Sequence, residues 1–266
     1  MSLTNLHTIA THQDYVLLRD LEIKRAEDAP LLAGSDLSGL GPKEDQVVHN
    51  AVIGYGIDFR KNVIADIQTW YTQASLSAFL TPNDLTLLQN YQTNPTSANL
   101  QALINSFTHL PDEATAARLL TTAVDAREIQ LNTRLGFVMP ESNERAALMS
   151  MFYNGGAGII GPELLNALQG DDRAEAWYQI RYESNGGASQ SPGIADRRIT
   201  ESNLFSLYDN PGQGVSEAEA KDVQIVDDAP QRPLCEIIVV QLNVAQGRPA
   251  SPPGNPQRLI SAPQTK

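Results

Sequence analysis

Residues 49–62 read HNAVIGYGIDFRKN, with two glycines framing a tyrosine in the middle of an apolar stretch. Glycine adopts backbone conformations that other residues resist, so Gly54 and Gly56 suit a tight hairpin or a close approach of the backbone to a ligand. Val47-Val48 and residues 51–59 supply candidates for two short strands. The rest of the chain decides whether this close approach is structural or chemical.

The composition limits the kinds of protein that the chain can be. Its 266 residues are 41% apolar, enough for a core in one large domain or two modest ones. No apolar run approaches the roughly 18 residues of a membrane helix, and the N-terminus lacks a signal-peptide pattern, so no membrane insertion is expected. The net charge of −12 argues against a nucleic-acid partner. The single cysteine, Cys235, has the apolar flank of an inert thiol, and no metal-ligand spacing is visible.

A helical pattern covers residues 8–27. Val16, Leu17 and Leu21 form the predicted apolar stripe of this helix, while Arg19 and Asp20 are predicted to face elsewhere. The stripe predicts which side of the helix is buried.

Further helices follow, marked by N-cap residues, prolines and glycines. They are predicted over 62–79, 81–91, 99–107, 111–136, 140–156, 161–170, 171–184 and 195–210. We therefore expect a mainly α (α+β) fold of two lobes, one helical and one a small β hairpin. The helical domain is expected at 1–211, and residues 212–266 are expected to be a Pro-rich, partly extended or disordered extension.

Two carboxylates flank the glycine pair in a way that suits glycoside hydrolysis. That chemistry uses a protonated carboxyl as general acid and a second carboxylate that activates water or acts as nucleophile. Glu22 lies late in the first helix beside apolar residues, and Asp58 follows the glycine turn. The alternatives are an exposed acid paired with Arg19 or Arg25 for Glu22, and a backbone-fixing acid paired with Arg60 or Lys61 for Asp58.

The segments LLRDLEIKR (17–25) and AVIGYGIDF (51–59) resemble phage-type lysozymes. In that family a helix ending in Leu-Arg-x-x-Glu precedes a hairpin with Thr-Ile-Gly-x-Gly, and pesticin-like domains carry Thr-x-Gly-Tyr-Gly-x-Asp. This resemblance puts the catalytic glutamate on Glu22 and the catalytic aspartate on Asp58. Residues 144–156, 164–185 and 193–211 are similar to the distal lobe of muramidase domains in type VI secretion effectors.

The sequence departs from the family pattern at three places. The family threonine that helps to position the catalytic water corresponds to Val52, and the usual glycine after the catalytic glutamate is Ile23. The loop between Glu22 and Val52 is longer than in phage lysozymes, so Glu27 is an alternative acid. Asp36 and Asp45 are alternatives for the second carboxylate.

Other residues carry weaker signals. Tyr55 is a candidate to stack on a sugar or hydrogen-bond to it, with packing against the hairpin as the alternative. Asn154 is a candidate to bind substrate, with a helix C-cap as the alternative. Three aromatic residues are predicted to pack in the core and between the lobes, with stacking on a sugar as the alternative, namely Trp177, Tyr178 and Tyr182. Three charged residues are predicted to form ion pairs, namely Arg197, Arg198 and Glu201, with a substrate peptide carboxylate as the alternative for the arginines.

The resemblance implies a muramidase that cleaves the β-1,4 bond between N-acetylmuramic acid and N-acetylglucosamine in peptidoglycan, without a cofactor. It further implies a monomeric toxin domain of a secreted antibacterial effector, acting in a target cell's periplasm and neutralised by an immunity protein. The acidic net charge of −12 favours the alternative of a degenerate lysozyme-like module that binds wall glycan or a partner protein without cleavage. A structural module of a secretion apparatus is a third class.

Overall fold

The computed structural model describes residues 3–27, 43–44, 50–184 and 192–208. The chain divides into two compact units. We call residues 8–159 the hairpin unit, and residues 1–7 together with the chain from residue 160 onward the C-terminal unit. The predicted mainly α fold with a small β hairpin is confirmed, and it is consistent with a lysozyme-like fold. The predicted extension at 212–266, the Val47-Val48 strand and Cys235 lie outside the described residues.

Helices around a small antiparallel sheet build the hairpin unit. In chain order the elements are α1 (His12–Ala26), β1 (Lys43–Glu44), β2 (Ala51–Ile53), β3 (Ile57–Asp58), α2 (Ile64–Gln73), α3 (Pro82–Thr93), α4 (Ser97–Ser106), α5 (Glu113–Leu135) and α6 (Asn143–Gly155). Two short 3₁₀ turns occupy Ser77–Phe79 and Gly156–Ile159. The helix α1 packs against α5 and α6, α2 packs against α5 and α3, and α4 packs against β1 and β2.

Local signals set the ends of α3 and α5 close to the predicted residues, whereas the helix predicted over 62–79 ends early, at Gln73. Thr81 caps α3, and its side chain and that of Asp84 form a reciprocal capping box with Pro82 in the first turn. Gly136 ends α5 in the left-handed conformation, with φ of 78°. These helix boundaries depend on contacts between residues a few positions apart, which is why the sequence predicts them well.

The sheet has the strand order β1-β2-β3. Residues 51–59 contribute two of its strands, because the chain reverses at Gly54-Tyr55-Gly56 and pairs Val52 with Asp58 across the hairpin. The hairpin of β2 and β3 therefore forms within this one stretch. The third strand of the sheet, β1, pairs with the other edge of β2. All three residues of β2 are buried.

The predicted apolar stripe of α1 is wrong. Leu17 and Leu21 are 59% and 43% exposed, whereas Arg19 is fully buried. The buried face of this helix carries Tyr15, Arg19, Asp20, Glu22 and Ile23. The buried face of the helix is therefore mainly polar, and Leu17 and Leu21 of the predicted stripe lie outside it.

A network of charges explains this inversion. Arg19 Nη1 donates to Glu128 Oε2 on α5 at 3.0 Å and lies 2.9 Å from Asp125 Oδ1. Arg145 on α6 donates to the other oxygen of Glu128 at 3.0 Å, and the Tyr15 hydroxyl also donates to Glu128. Burial lowers the pKa of Arg19, but the surrounding carboxylates outweigh this effect and raise it overall. Charged groups tolerate burial when they are paired in this way.

The C-terminal unit is helical in its described part. It contains α7 (Pro162–Gly170), α8 (Arg173–Tyr178), a π-helical turn (Gln179–Glu183) and α9 (Pro192–Phe205). Trp177 and Tyr178 are buried, and their ring centroids lie 6.0 Å and 5.1 Å from that of Tyr182. The predicted packing role of these aromatic residues is confirmed.

Ion pairs in α9 also match the prediction. Arg197 Nε lies 3.2 Å from Glu201 Oε1, and Arg198 pairs with the other oxygen of the same carboxylate. All three side chains are buried. The arginines therefore pair within their own helix.

Candidate active site

Asp58 closes the hairpin as a tightly held carboxylate that is 6% exposed. Its Oδ1 accepts hydrogen bonds from the backbone N–H groups of Arg60 at 2.7 Å and Lys61 at 3.0 Å. Its Oδ2 accepts from the Asn50 amide at 2.9 Å, and the Lys61 ammonium lies 3.7 Å from the same oxygen. These donors match an ionised carboxylate, which only accepts hydrogen bonds. The alternative role, fixing local backbone and pairing with Lys61, is confirmed and is compatible with a second carboxylate of the site.

Glu22 lies near the end of α1 and is 8% exposed. Its Oε1 accepts a hydrogen bond from Arg25 Nη1 at 2.7 Å, so the predicted pairing at helical spacing is present. The Arg25 side chain is 60% exposed. An ion pair with so exposed a partner is weak, and the arginine can move into solvent at little cost.

The end of α1 lies directly against the turn of the hairpin. The ammonium of Lys24 lies 5.1 Å from the centroid of the Tyr55 ring, within the range of a cation–π contact. The carboxylate of Glu27 approaches Gly56 so closely that a Cβ added there would lie 2.2 Å from Glu27 Oε2. The helix that carries Glu22 and the hairpin that carries Asp58 are therefore neighbours within the hairpin unit.

Both glycines of the turn have a conformational reason to be glycine. Gly54 and Gly56 have φ values of 56° and 77°, in the left-handed region that residues with a Cβ avoid. Gly56 has the second reason that Glu27 fills the space a side chain would need. The glycines were predicted to allow a close approach of the backbone to another group. In the structure, the group that approaches Gly56 is the carboxylate of Glu27.

Hydrogen bonds from two helices hold the hairpin in place. The Tyr153 hydroxyl on α6 donates to the Tyr55 carbonyl at 2.8 Å. Arg127 on α5 donates to the Asn62 side-chain oxygen at 2.9 Å, and the Asn62 amide donates to the Asp58 carbonyl at 2.7 Å. The backbone around Asp58 is therefore tied to α5 through two successive side chains.

Tyr55 is completely buried, and its hydroxyl donates to Glu113 Oε1 at 2.8 Å. Burial, with the hydrogen bond to Glu113, raises the pKa of this phenol. The packing alternative for Tyr55 is therefore what the structure displays, and its predicted contact with a sugar stays a prediction.

Asn154 is exposed in the last turn of α6. The alternative of a C-cap at this position is wrong, because the helix continues through Gly155 and its cap is Gly156. A substrate-binding role for Asn154 stays a prediction, and its exposure is compatible with one.

The remaining sequence candidates separate into two groups. Val52 pairs with Asp58 across the hairpin, so these two side chains share one face of the sheet. Glu27 lies against the turn, as described above. Asp36 and Asp45 lie outside the described residues.

The described part of the chain contains neither a metal-binding group of side chains nor a helix that could span a membrane. Within residues 3–27, 43–44, 50–184 and 192–208, no three His, Cys, Asp or Glu side chains are grouped to hold a metal ion. None of the helices in the same residues is both long enough and apolar enough to cross a membrane.

Three residues that hold the hairpin were not predicted from the sequence, namely Asn50, Asn62 and Arg127. Asn50 and Asn62 flank the glycine motif, and amides near a candidate carboxylate are a weak signal that could have drawn attention to them. Arg127 carries no such signal, because its partner Asn62 is 65 residues away in the chain.

The phage lysozyme family model matches residues 101–201. The matched range runs from within α4 to within α9 and includes Asn154, whereas Glu22, Val52 and Asp58 precede it. No curated protein sequence matches the chain. The family match supports a phage-type lysozyme domain, and with it glycoside hydrolysis of peptidoglycan as the general activity.

Proposed function

We propose that this protein is a muramidase that hydrolyses the β-1,4 bond between N-acetylmuramic acid and N-acetylglucosamine. One observation carries the proposal beyond the family match. The end of α1, with the buried carboxyl of Glu22, lies against the turn of the hairpin that holds the carboxylate of Asp58. Glycoside hydrolysis uses two carboxyl groups that flank the scissile bond, and their presence on neighbouring elements supports this function.

The two carboxyl groups have different surroundings, which supports different roles. Asp58 accepts hydrogen bonds on both oxygens, which fix its position to assist water or to stabilise the oxocarbenium-like transition state. Glu22 is paired with Arg25, whose side chain is 60% exposed, so substrate can displace this partner and reach the carboxyl. Glu22 then protonates the leaving oxygen.

We further propose, on the motif resemblance, that the protein is the toxin domain of an interbacterial effector. In this role it acts in the periplasm of a target bacterium, and a cognate immunity protein protects the producer. The test is to direct the protein to the periplasm of a test bacterium and to measure cell survival. Lysis by the wild type and survival with Glu22→Gln support the toxin role. Equal survival with both contradicts it.

The decisive experiment is digestion of purified peptidoglycan, with products identified by mass spectrometry. The wild type is expected to release fragments with muramic-acid reducing ends. Glu22→Gln keeps the size of the side chain but cannot donate a carboxyl proton, so we expect a loss of about 10²-fold or more. Asp58→Asn is expected to lower turnover strongly as well.

Glu27→Gln is the matched control, because it makes the same chemical change on the same helix end. Full activity of Glu27→Gln with loss in Glu22→Gln assigns the acid to Glu22. The reverse pattern keeps the muramidase and moves the acid to Glu27. A folded wild type that releases no fragments contradicts the muramidase.

A second candidate function is binding of wall glycan without cleavage. Val52 favours it, because an aliphatic side chain on the same hairpin face as Asp58 cannot hydrogen-bond to a catalytic water. Co-sedimentation with insoluble peptidoglycan distinguishes the two functions. A binding module sediments with the wall and leaves its mass profile unchanged, whereas a muramidase changes that profile.

A further inference from the structure

The amide of Asn50 is held between a cation and the carboxylate of Asp58. Its Nδ2 donates to Asp58 Oδ2 at 2.9 Å, and its Oδ1 accepts from Arg60 Nη1 at 3.3 Å. Asn50 is 5% exposed. The reverse orientation of the amide would place its oxygen against a carboxylate and its nitrogen against a guanidinium, so the two contacts define which way the amide points.

The neighbouring backbone also holds Asn50 in place. The N–H of the next residue, Ala51, donates to the Tyr91 hydroxyl oxygen at 3.2 Å, and the Ala51 carbonyl accepts from the Phe59 N–H at 2.9 Å. Asn50 thus precedes β2 at a point fixed by α3 and by the far side of the hairpin. A buried amide in such a position keeps its orientation without help from substrate.

The donors are distributed unequally over the two oxygens of Asp58. Oδ1 accepts two backbone N–H bonds, which use both of its lone pairs. Among the described residues, Oδ2 accepts one hydrogen bond, from Asn50, and the Lys61 ammonium lies 3.7 Å away. Within that set, one acceptor position of Oδ2 is left for a water molecule or for a developing positive charge.

We propose that Asn50 is a positioning residue for Asp58, and that Oδ2 is the oxygen of Asp58 that contacts the reacting water or sugar. This inference rests on the proposed muramidase function. The Asn50 amide occupies one acceptor position of Oδ2 and thereby fixes the direction of the remaining one. Arg60 holds the amide in this orientation. Asn50 acts through Asp58 and does not itself touch the substrate.

Several charged groups of the described residues face the hairpin that carries Asp58. Glu22 and Glu27 lie at the end of α1, which contacts the turn of the hairpin. Arg60 and Lys61 lie in the same loop as Asp58. The helix α3 presents the neutral Tyr91 and Gln92 to the hairpin, and Arg127 of α5 reaches it through Asn62. A carboxylate introduced at residue 50 is therefore the nearest negative charge to Asp58 in this set.

The experiment compares Asn50→Asp with the wild type and with Asn83→Asp, in which an exposed residue of α3 makes the same chemical change. Two carboxylates at one site resist ionising together, so Asn50→Asp should move the acidic limb of the pH–activity profile upwards by about 1 on the pH scale. Asn83→Asp should leave the limb in place. An unmoved limb in an active Asn50→Asp protein overturns the inference while the muramidase function stands.

A measurement that does not need enzyme activity distinguishes failure of this inference from failure of the proposed muramidase function. The carboxyl carbon resonance of Asp58, assigned by its loss in Asp58→Asn, is titrated by NMR in the wild type and in Asn50→Asp. A higher midpoint in Asn50→Asp is expected even if the wild type releases no fragments from peptidoglycan. Equal midpoints overturn the contact between Asn50 and Asp58.

Arg60→Ala serves if Asn50→Asp does not fold, because the Arg60 side chain is exposed and its backbone donor is retained. We expect kcat to fall about 3- to 10-fold with KM changed less than about 2-fold, since orientation of a reacting group affects the transition state. Arg60→Lys should restore part of the loss. An unchanged kcat for Arg60→Ala overturns the role of the arginine in holding the amide.

Discussion

Gly56 meets two separate demands, a positive φ and the closeness of the Glu27 carboxylate. Gly54 meets the first alone, because a Cβ there would lie 3.7 Å from Ala116 Cβ and 3.8 Å from Leu110 Cδ1, which are ordinary contacts. The two glycines of one turn therefore form a natural pair for separating backbone strain from steric conflict.

We predict that Gly54→Ala lowers the free energy of unfolding by about 1–2 kcal/mol, the usual cost of a Cβ in the left-handed region. Gly56→Ala should cost more, because Glu27 must also move. Urea unfolding measures both. In a Glu27→Ala background the cost of Gly56→Ala should fall to that of Gly54→Ala, and an unchanged cost there would contradict the steric explanation.

Val52 lies across the hairpin from Asp58 and is 8% exposed. Val52→Thr puts a hydroxyl on the hairpin face that carries Asp58, where it can help to order a water. We predict a few-fold rise in kcat on peptidoglycan together with a loss of about 1 kcal/mol in stability from the partly buried hydroxyl. Val52→Ala is the control without a hydroxyl. If both variants change kcat equally, the hydroxyl is not the cause.

Residue-scale prediction succeeded for the hairpin and partly for the candidate site. Glycine permits the positive φ that the turn needs at both positions, and the acceptor role of Asp58 follows from its position after that turn. The burial of Tyr55 could not be predicted in the same way. Its hydroxyl partner, Glu113, is 58 residues away, and only packing brings the two together.

At the scale of elements, α1 is held to α5 and α6 by buried charges centred on Glu128. Its two oxygens accept hydrogen bonds from Arg19, Arg145 and Tyr15. Asp125 is mostly exposed, whereas Glu128 is enclosed, so the two carboxylates differ in what they contribute.

We predict that Glu128→Gln destabilises the protein by roughly 3 kcal/mol, because it leaves two buried guanidinium groups without their shared counter-charge. Asp125→Asn changes the same kind of group on the same helix and should cost much less. Thermal and urea unfolding of both variants checks this. Equal losses in the free energy of unfolding would show that the burial of Glu128 does not increase its contribution to stability.

The mistaken stripe of α1 has a physical reason at this scale. Periodicity predicts which residues share a face of a helix, but burial of that face depends on what the neighbouring helices offer. Here α5 and α6 present the Glu128 carboxylate and the Arg145 guanidinium, and these partners stabilise the buried charged face of α1. By contrast, the ends of α3 and α5 depend on caps within the helix itself, so the sequence predicts them correctly.

At the scale of the whole molecule, the net charge of −12 opposes approach to an anionic cell wall. Salt shortens the screening length from about 30 Å at 0.01 M to about 8 Å at 0.15 M ionic strength. Added salt should therefore weaken the repulsion between this protein and its proposed substrate.

We predict that raising NaCl from about 10 mM to about 150 mM lowers KM for intact walls several-fold and leaves kcat nearly unchanged, since the charges act on encounter. Clearing of a wall suspension and reducing-end release measure the two constants. Short soluble glycan fragments, which carry few charges, are the control and should show little salt dependence. A KM that rises with salt would point to a local basic surface that dominates binding.

The sequence by itself determined the mainly helical composition, most helix ends and the reversal at Gly54-Tyr55-Gly56. These features depend on interactions within a few residues, which one stretch of chain contains completely. Only the tertiary structure decided that α1 buries its charges, that Tyr55 is enclosed and that Arg127 of α5 holds Asn62 beside Asp58. Arg19 and Glu128 are 109 residues apart, and no local pattern encodes which distant group meets a given side chain.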